Sequence, residues 1–154
     1  MTISDQPNLA ALSAVLPGTW ELMSRVDMND SGEPREEPTL GNDPIALLFY
    51  DKSGHFAAQF MKRDRSTAFE VTATGSMNNS RAQGGYDAYF GTYSVDDRLG
   101  TVTQRLLGAL SQENVGEELT RSMEVKGNTL TIELQTKSVL GEQVKRTLIW
   151  RRVG

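Results

Sequence analysis

Two arginines occupy strand-like positions that are otherwise apolar. Arg121 is in phase with the apolar residues of segment 118–125, and Arg146 is in phase with those of segment 143–153. A guanidinium that faces a protein interior needs a partner, because an unpaired buried charge is costly. The partner is an internal carboxylate, solvent at a rim position, or the carboxylate or carbonyl group of a bound ligand. These two residues are therefore the first candidates for ligand binding.

Four neutral polar side chains join the two arginines as candidates. Inward-facing hydroxyl and amide groups can orient a ligand inside a cavity through hydrogen bonds. On this basis we include Tyr50, Gln59, Tyr86 and Gln104 as candidate ligand-binding residues. Packing in the core or on the surface is the alternative interpretation of each tyrosine.

The single histidine, His55, follows the turn residue Gly54 at the start of a predicted strand. This position predicts a solvated residue at a rim, although a lone histidine can act as an acid or base near neutral pH. The candidate catalytic residues are His55, Tyr86 and Arg121. One histidine cannot form a multi-histidine metal site, and no phosphate-binding loop or nucleophile elbow occurs. We therefore expect no metal and no cofactor.

Composition limits the classes of partner. The chain has 154 residues, which fits a single domain over residues 1–154. Its net charge is -4 and no Lys/Arg-rich run occurs, so nucleic acid and anionic membrane surfaces are not expected partners. The absence of cysteine excludes disulfides and thiol catalysis. No secretion signal or membrane-spanning run is evident, which predicts a cytoplasmic protein. We expect this protein to be a monomer or a homodimer.

Alternation of polar and apolar residues predicts an all-β chain of eight strands joined mostly by short turns. Short turns imply antiparallel neighbours, and eight strands is the number that closes a small up-and-down barrel. Closure of such a barrel leaves space for one small molecule. The predicted strands are 18–28, 45–50, 55–61, 86–95, 101–107, 118–125, 129–136 and 143–153.

The remaining segments are expected to cover the barrel. A short helix with an apolar stripe ends at Pro17-Gly18 and should lie over one end. The proline-containing segment 29–44 predicts a surface loop of the kind that often acts as a lid. Segment 62–85 predicts a mobile loop or a short helix, with weak strand character over 68–74. Strict alternation in the first strand places Val26 and Met28 on the face of Trp20.

Five segments carry a resemblance to a known family. They are Leu16–Leu22, Leu48–Gly54, Tyr89–Val95, Gly116–Arg121 and Leu148–Arg152. In this order, over nearly the whole chain, they resemble the bacterial and fungal lipocalin-like domain family, within the calycin group of ligand-binding barrels. The resemblance implies a cup with one plugged end, where Trp20 packs against Arg151 or Arg152. It also implies that Gln104 stands at or near a position where the family often has histidine.

Three functions fit these features. The leading hypothesis is a lipocalin-like barrel that binds one small, largely apolar molecule. The alternative is a cofactor-free isomerase or cyclase that uses the same cavity, since such an enzyme needs little beyond shape and one acid or base. A titratable group on the cavity wall would favour the enzyme. The third is a filled structural or oligomerising barrel, which a cavity below about 300 Å³ would support.

Overall fold

The chain folds as a closed antiparallel β-barrel in a computed structural model that describes residues 10–67, 82–138 and 140–154. One short helix precedes the first strand, and 3₁₀ turns lie at Arg65–Thr67 and Gln112–Asn114. The helix is α1 (Leu12–Val15), and the strands are β1 (Gly18–Asn29), β2 (Pro34–Arg35), β3 (Ile45–Tyr50), β4 (His55–Met61), β5 (Tyr86–Asp96), β6 (Thr101–Ala109), β7 (Glu118–Lys126), β8 (Thr129–Lys137) and β9 (Gln143–Arg152).

Closure depends on β1, which pairs with two different neighbours. Residues Gly18–Glu21 pair with β3, whereas Trp20–Asn29 pair with β9. The other strands of the barrel pair in chain order, and all pairings are antiparallel. The two-residue strand β2 adds to the far end of β1. The predicted eight-stranded barrel with a short N-terminal helix is confirmed, and β2 is an addition that the sequence did not indicate.

One end of the barrel is plugged by the helix and the end of the chain. Trp20 is fully buried there, and its indole Nε1 donates to the carbonyl oxygen of Leu16 at 3.0 Å. The Arg152 guanidinium lies 4.3 Å from the centre of the Trp20 ring and donates to the carbonyl oxygens of Pro17 and Val15. Arg151 points outward instead and pairs with Glu21.

Gly18 precedes this plug for a steric reason. A Cβ atom at Gly18 would lie 2.4 Å from Nη1 of Arg152 and 2.9 Å from the carbonyl oxygen of Gly154. The φ angle of Gly18 is also 150°, in a region that side chains disfavour. The glycine therefore lets Arg152 reach Trp20 at the plugged end of the barrel.

A β-bulge reverses the two faces of β1. The ladder with β9 skips Met23, which leaves one extra residue in β1. Beyond it, Arg25 and Asp27 face the interior and are 4% and 5% exposed, whereas Val26 and Met28 are each 40% exposed. The prediction that Val26 and Met28 share the face of Trp20 is wrong, because a shift of one residue exchanges the faces of a strand.

The remaining interior is packed with apolar side chains. The buried apolar cluster includes Leu16, Trp20, Leu48, Phe56, Phe60, Val102, Leu106, Leu130, Ile132, Leu148 and Trp150.

Two expectations concern other parts of the chain. Within the described part of the chain, no helix is long and apolar enough to cross a membrane. The expected weak strand over 68–74 lies outside the described residues.

The plug gives a first prediction, on the variant Arg152→Met. Methionine keeps an apolar stem beside Trp20 but removes the cation and its hydrogen bonds. We expect the free energy of unfolding in urea to fall by about 1–3 kcal/mol. The matched control is Arg151→Met, whose exposed ion pair should be worth less than about 1 kcal/mol. Equal losses in the two variants would contradict the role of Arg152 in the plug.

Candidate functional site

A small cavity lies inside the barrel, away from the plug. Its volume is about 50 Å³, which is room for about three to five water-sized groups. Ligand pockets usually exceed about 300 Å³, so this interior is close to the filled barrel of the third hypothesis. The wall combines apolar side chains (Leu40, Leu48, Phe60, Tyr89, Met123, Ile132, Leu134, Leu148 and Trp150) with Arg25, Asp87, Gln104, Arg121 and Arg146.

Arg146 is bound by an internal carboxylate. Its Nε and Nη2 atoms donate to the two carboxylate oxygens of Asp27 at 2.7 and 2.9 Å, and both side chains are buried. The two residues are direct partners in the ladder between β1 and β9. The paired fork is the strongest geometry for a guanidinium and a carboxylate. Of the three partners foreseen for Arg146, the structure therefore supplies the internal salt bridge.

Arg25 is bound through one nitrogen by a carboxylate of the loop after β2. Its Nη1 donates to Oε1 of Glu37 at 3.0 Å, and Glu37 also accepts from the backbone N–H groups of Thr39 and Leu40. Burial alone raises the pKa of Glu37, but Arg25 and the Thr39 hydrogen bonds outweigh it and hold that pKa below its usual range. We call segment 36–42 the strap; it holds Leu40 against the cavity.

Arg121 differs from the other two arginines. It is 9% exposed, its Nη2 has no hydrogen-bond partner, and its Nη1 makes one long contact with the Thr120 carbonyl oxygen at 3.4 Å. Burial lowers the pKa of the Arg121 guanidinium, but arginine stays charged in proteins. No carboxylate among the described residues forms an ion pair with it. The cavity wall therefore presents one cation with unused donors.

Gln104 and Tyr50 form a neutral pair beside the cavity. Gln104 Nε2 donates to the Tyr50 hydroxyl at 2.6 Å, and that hydroxyl lies 3.9 Å from the Met123 sulfur. Burial raises the pKa of Tyr50 far above its usual value, so the phenol stays protonated. An amide does not titrate near neutral pH, so Gln104 contributes hydrogen bonds rather than acid–base chemistry.

Asp87 is a site residue that the sequence did not reveal. Its side chain is 2% exposed, it lines the cavity, and its Oδ1 has no hydrogen-bond partner. Burial raises the pKa of Asp87 to about 7, which makes it a titratable group on the cavity wall. The sequence did contain one indication of this burial: Asp87 lies two residues before Tyr89 in β5, which places both side chains on the same face of the strand.

Three candidates lie away from the cavity. His55 is exposed at the turn before β4, where its Nδ1 lies 2.8 Å from the hydroxyl of Ser53. Gln59 is exposed on the outer face of β4, and Tyr86 is outside the cavity wall, with the Arg65 guanidinium 5.9 Å from its ring centre. The structure therefore does not place His55, Gln59 or Tyr86 where they would touch a molecule in the cavity.

The strands form a closed antiparallel β-barrel around one small cavity. The sequence model described as a lipocalin-like domain matches residues 17–153. The chain therefore belongs to the lipocalin-like domain family, and the resemblance drawn from its five segments is confirmed. Family membership indicates small-molecule binding in general. A comparison with curated proteins gives no match.

Metal ligands are not gathered at this site. Over residues 10–67, 82–138 and 140–154, no group of three or more histidine or acidic side chains is arranged to hold a metal ion. The arrangement offers hydrogen bonding from Arg121, apolar contact from the walls, and one exchangeable proton on Asp87.

Asp87 gives a prediction about stability and pH. Between about pH 4 and pH 7 the folded chain keeps a proton on Asp87 that the unfolded chain, with an ordinary pKa of 3.8, has released. The free energy of unfolding contributed by Asp87 therefore decreases as pH rises through this window, by up to about 4 kcal/mol. The variant Asp87→Asn should lack this decrease in urea titrations at successive pH values.

The exposed loop residue Asp30 provides the matched control for this measurement. The stability difference between the wild type and Asp30→Asn should stay constant across the same pH window. A difference between the wild type and Asp87→Asn that is equally constant would contradict the buried, proton-bound state of Asp87.

Proposed function

We propose that the barrel binds a small, largely apolar molecule whose one oxygen-bearing group accepts hydrogen bonds from Arg121. The observation that carries this proposal is Arg121, which lines the cavity and whose buried Nη2 has no hydrogen-bond partner. A buried guanidinium with unused donors is destabilising unless a partner arrives. Membership of the lipocalin-like family supports small-molecule binding in general.

The walls of the cavity support the apolar character of the rest of the molecule. Most of the lining side chains are aliphatic or aromatic, and the cations Arg25 and Arg146 are already held by carboxylates. Beyond the group at Arg121, a bound molecule therefore meets mainly apolar surface. Such surface favours apolar partners by about 25 cal/mol per Å² removed from water.

The volume of about 50 Å³ admits the polar end of such a molecule and a few further atoms. A larger molecule needs side chains to turn aside. Leu40 is suited to this movement because it belongs to the strap rather than to a strand. A change in its side-chain rotamer leaves the barrel ladders and the Arg25–Glu37 pair intact.

The test uses straight-chain carboxylates, methyl ketones and alcohols of four to ten carbons as probes. We expect thermal shifts and calorimetry to detect binding of at least one oxygen-bearing series. The variant Arg121→Met should bind it about 10- to 100-fold more weakly, because hydrogen bonds to a charged group are worth about 1.5–3 kcal/mol. Arg121→Lys should recover part of the loss.

The control for this test is Arg105→Met, since Arg105 lies on the outer face of β6 in an exposed pair with Glu118. Its affinity should match that of the wild type. Native mass spectrometry of freshly purified protein gives an independent measurement, as a retained molecule would add mass. Absence of binding in every series, together with an unoccupied purified protein, would contradict the proposed function.

A cofactor-free isomerase or cyclase is the second candidate, and Asp87 favours it. A buried carboxyl group with a pKa of about 7 can donate or accept a proton at neutral pH. We propose that, in this case, Asp87 moves the proton while Arg121 polarises the oxygen of the substrate. Asp87→Asn should then abolish turnover of a bound, isomerisable ketone and preserve its affinity. Turnover that persists in Asp87→Asn would remove this assignment.

A further inference from the structure

The barrel wall is incomplete between β7 and β8. Their ladder runs from the pair Lys126↔Thr129 beside the hairpin turn to the pair Ser122↔Glu133, and there it stops. Beyond that point Glu118–Arg121 still pair with β6, and Leu134–Lys137 still pair with β9. The two strands therefore part over the half that lies away from the plug, and two strand edges face each other.

A cleft of about 440 Å³ occupies this gap. Arg121 and Leu134 line both the cleft and the interior cavity. Arg121 is buried and Leu134 is partly buried, so the two spaces meet at these side chains. Leu134 is the side chain that would have to turn aside to join them, whereas displacement of the strap would break the buried pair between Arg25 and Glu37.

The charges at this junction favour an anion over a neutral oxygen. Arg25 and Arg146 each have a carboxylate oxygen within 3.0 Å, but Arg121 has no ion pair in the segments that the structure describes. A ketone or alcohol would accept a hydrogen bond and leave the buried guanidinium without an ion-pair partner, since Glu117 acts on it only at longer range. A carboxylate would neutralise that charge, and its two oxygens match the fork of a guanidinium.

We propose that the ligand is a carboxylate that enters through the cleft between β7 and β8 and binds Arg121 at the inner end of that cleft. This inference rests on the proposed function, because it names the chemical class of the ligand and its route to the same cavity. Lys145 and Glu133 line the same cleft and form an exposed ion pair with each other, so the selection of an anion falls to Arg121.

The route is tested by closing the cleft with a disulfide in a chain that has no cysteine of its own. The register of the ladder, if continued, would bring Thr120 opposite Gln135, and both side chains are exposed. The test variant is Thr120→Cys with Gln135→Cys. The control is Glu124→Cys with Thr131→Cys, a pair already joined in the intact part of the ladder.

Hexanoate is the probe, and its association is followed by stopped-flow tryptophan fluorescence, because Trp150 lines the cavity. We expect the oxidised test variant to associate at least tenfold more slowly than its reduced form. The oxidised control should associate at the wild-type rate. An oxidised test variant that associates as fast as its reduced form, with the cross-link verified by mass, would overturn the route.

A second variant covers the case in which the disulfide does not form. A single cysteine at Gln135, modified with a 2-kDa polyethylene glycol maleimide, should slow association at least tenfold. The same modification at Glu124→Cys should not. Unchanged association with the adduct at position 135 would likewise overturn the route.

The ligand class is tested with 1-hexanol and hexanamide beside hexanoate. We expect hexanoate to bind at least tenfold more tightly than either neutral compound, and Arg121→Met to remove that preference. If the neutral compounds bind as well as hexanoate, the barrel still binds small molecules but the carboxylate assignment fails. If none of the three binds and the longer probes also fail, the proposed function itself fails.

Discussion

The ladder between β1 and β9 is the constraint on which the rest of the structure depends. It closes the barrel, and its register places two arginines beside their partners. Trp20 pairs directly with Arg152, which forms the plug, and Asp27 pairs directly with Arg146, which forms the buried ion pair. One seam therefore fixes both ends of the interior. A slip of this ladder by one residue would separate both pairs, so the side chains reinforce the register that the backbone adopts.

The interior combines satisfied and unsatisfied polar groups in one small space. Arg25 and Arg146 are neutralised by Glu37 and Asp27 and act as parts of the wall. Arg121 keeps unused donors. A barrel with a purely structural role has little reason to bury such a group, since apolar packing of similar volume is often as stable. This cost sets the small cavity apart from an ordinary packing defect, which is apolar and dry.

The sequence predicted the strands well because local signals determine them. Alternation, glycine turns and the five family-like segments located all eight strands, and three of the candidate ligand-binding residues, Gln104, Arg121 and Arg146, line the cavity. The inward face was harder to predict, because the outer face also carries apolar residues such as Phe90, which is 56% exposed. The early end of the β7–β8 ladder and the burial of Asp87 depend on the packing of distant strands. Alternation within one segment contains no information about either.

The extra residue at Met23 has an evolutionary consequence. Loss of this single codon would leave an uninterrupted ladder in which Arg25 and Asp27 still share the inner face with Leu22, because the pairs Leu22↔Trp150 and Ser24↔Ile149 are already neighbours in the ladder. Straightening of the bulge without loss of a residue would instead turn Arg25 and Asp27 to solvent and leave their partners Glu37 and Arg146 as opposite buried charges. The ionic lining of the lumen is therefore compatible with a β1 strand of either length, provided that the register against β9 is kept.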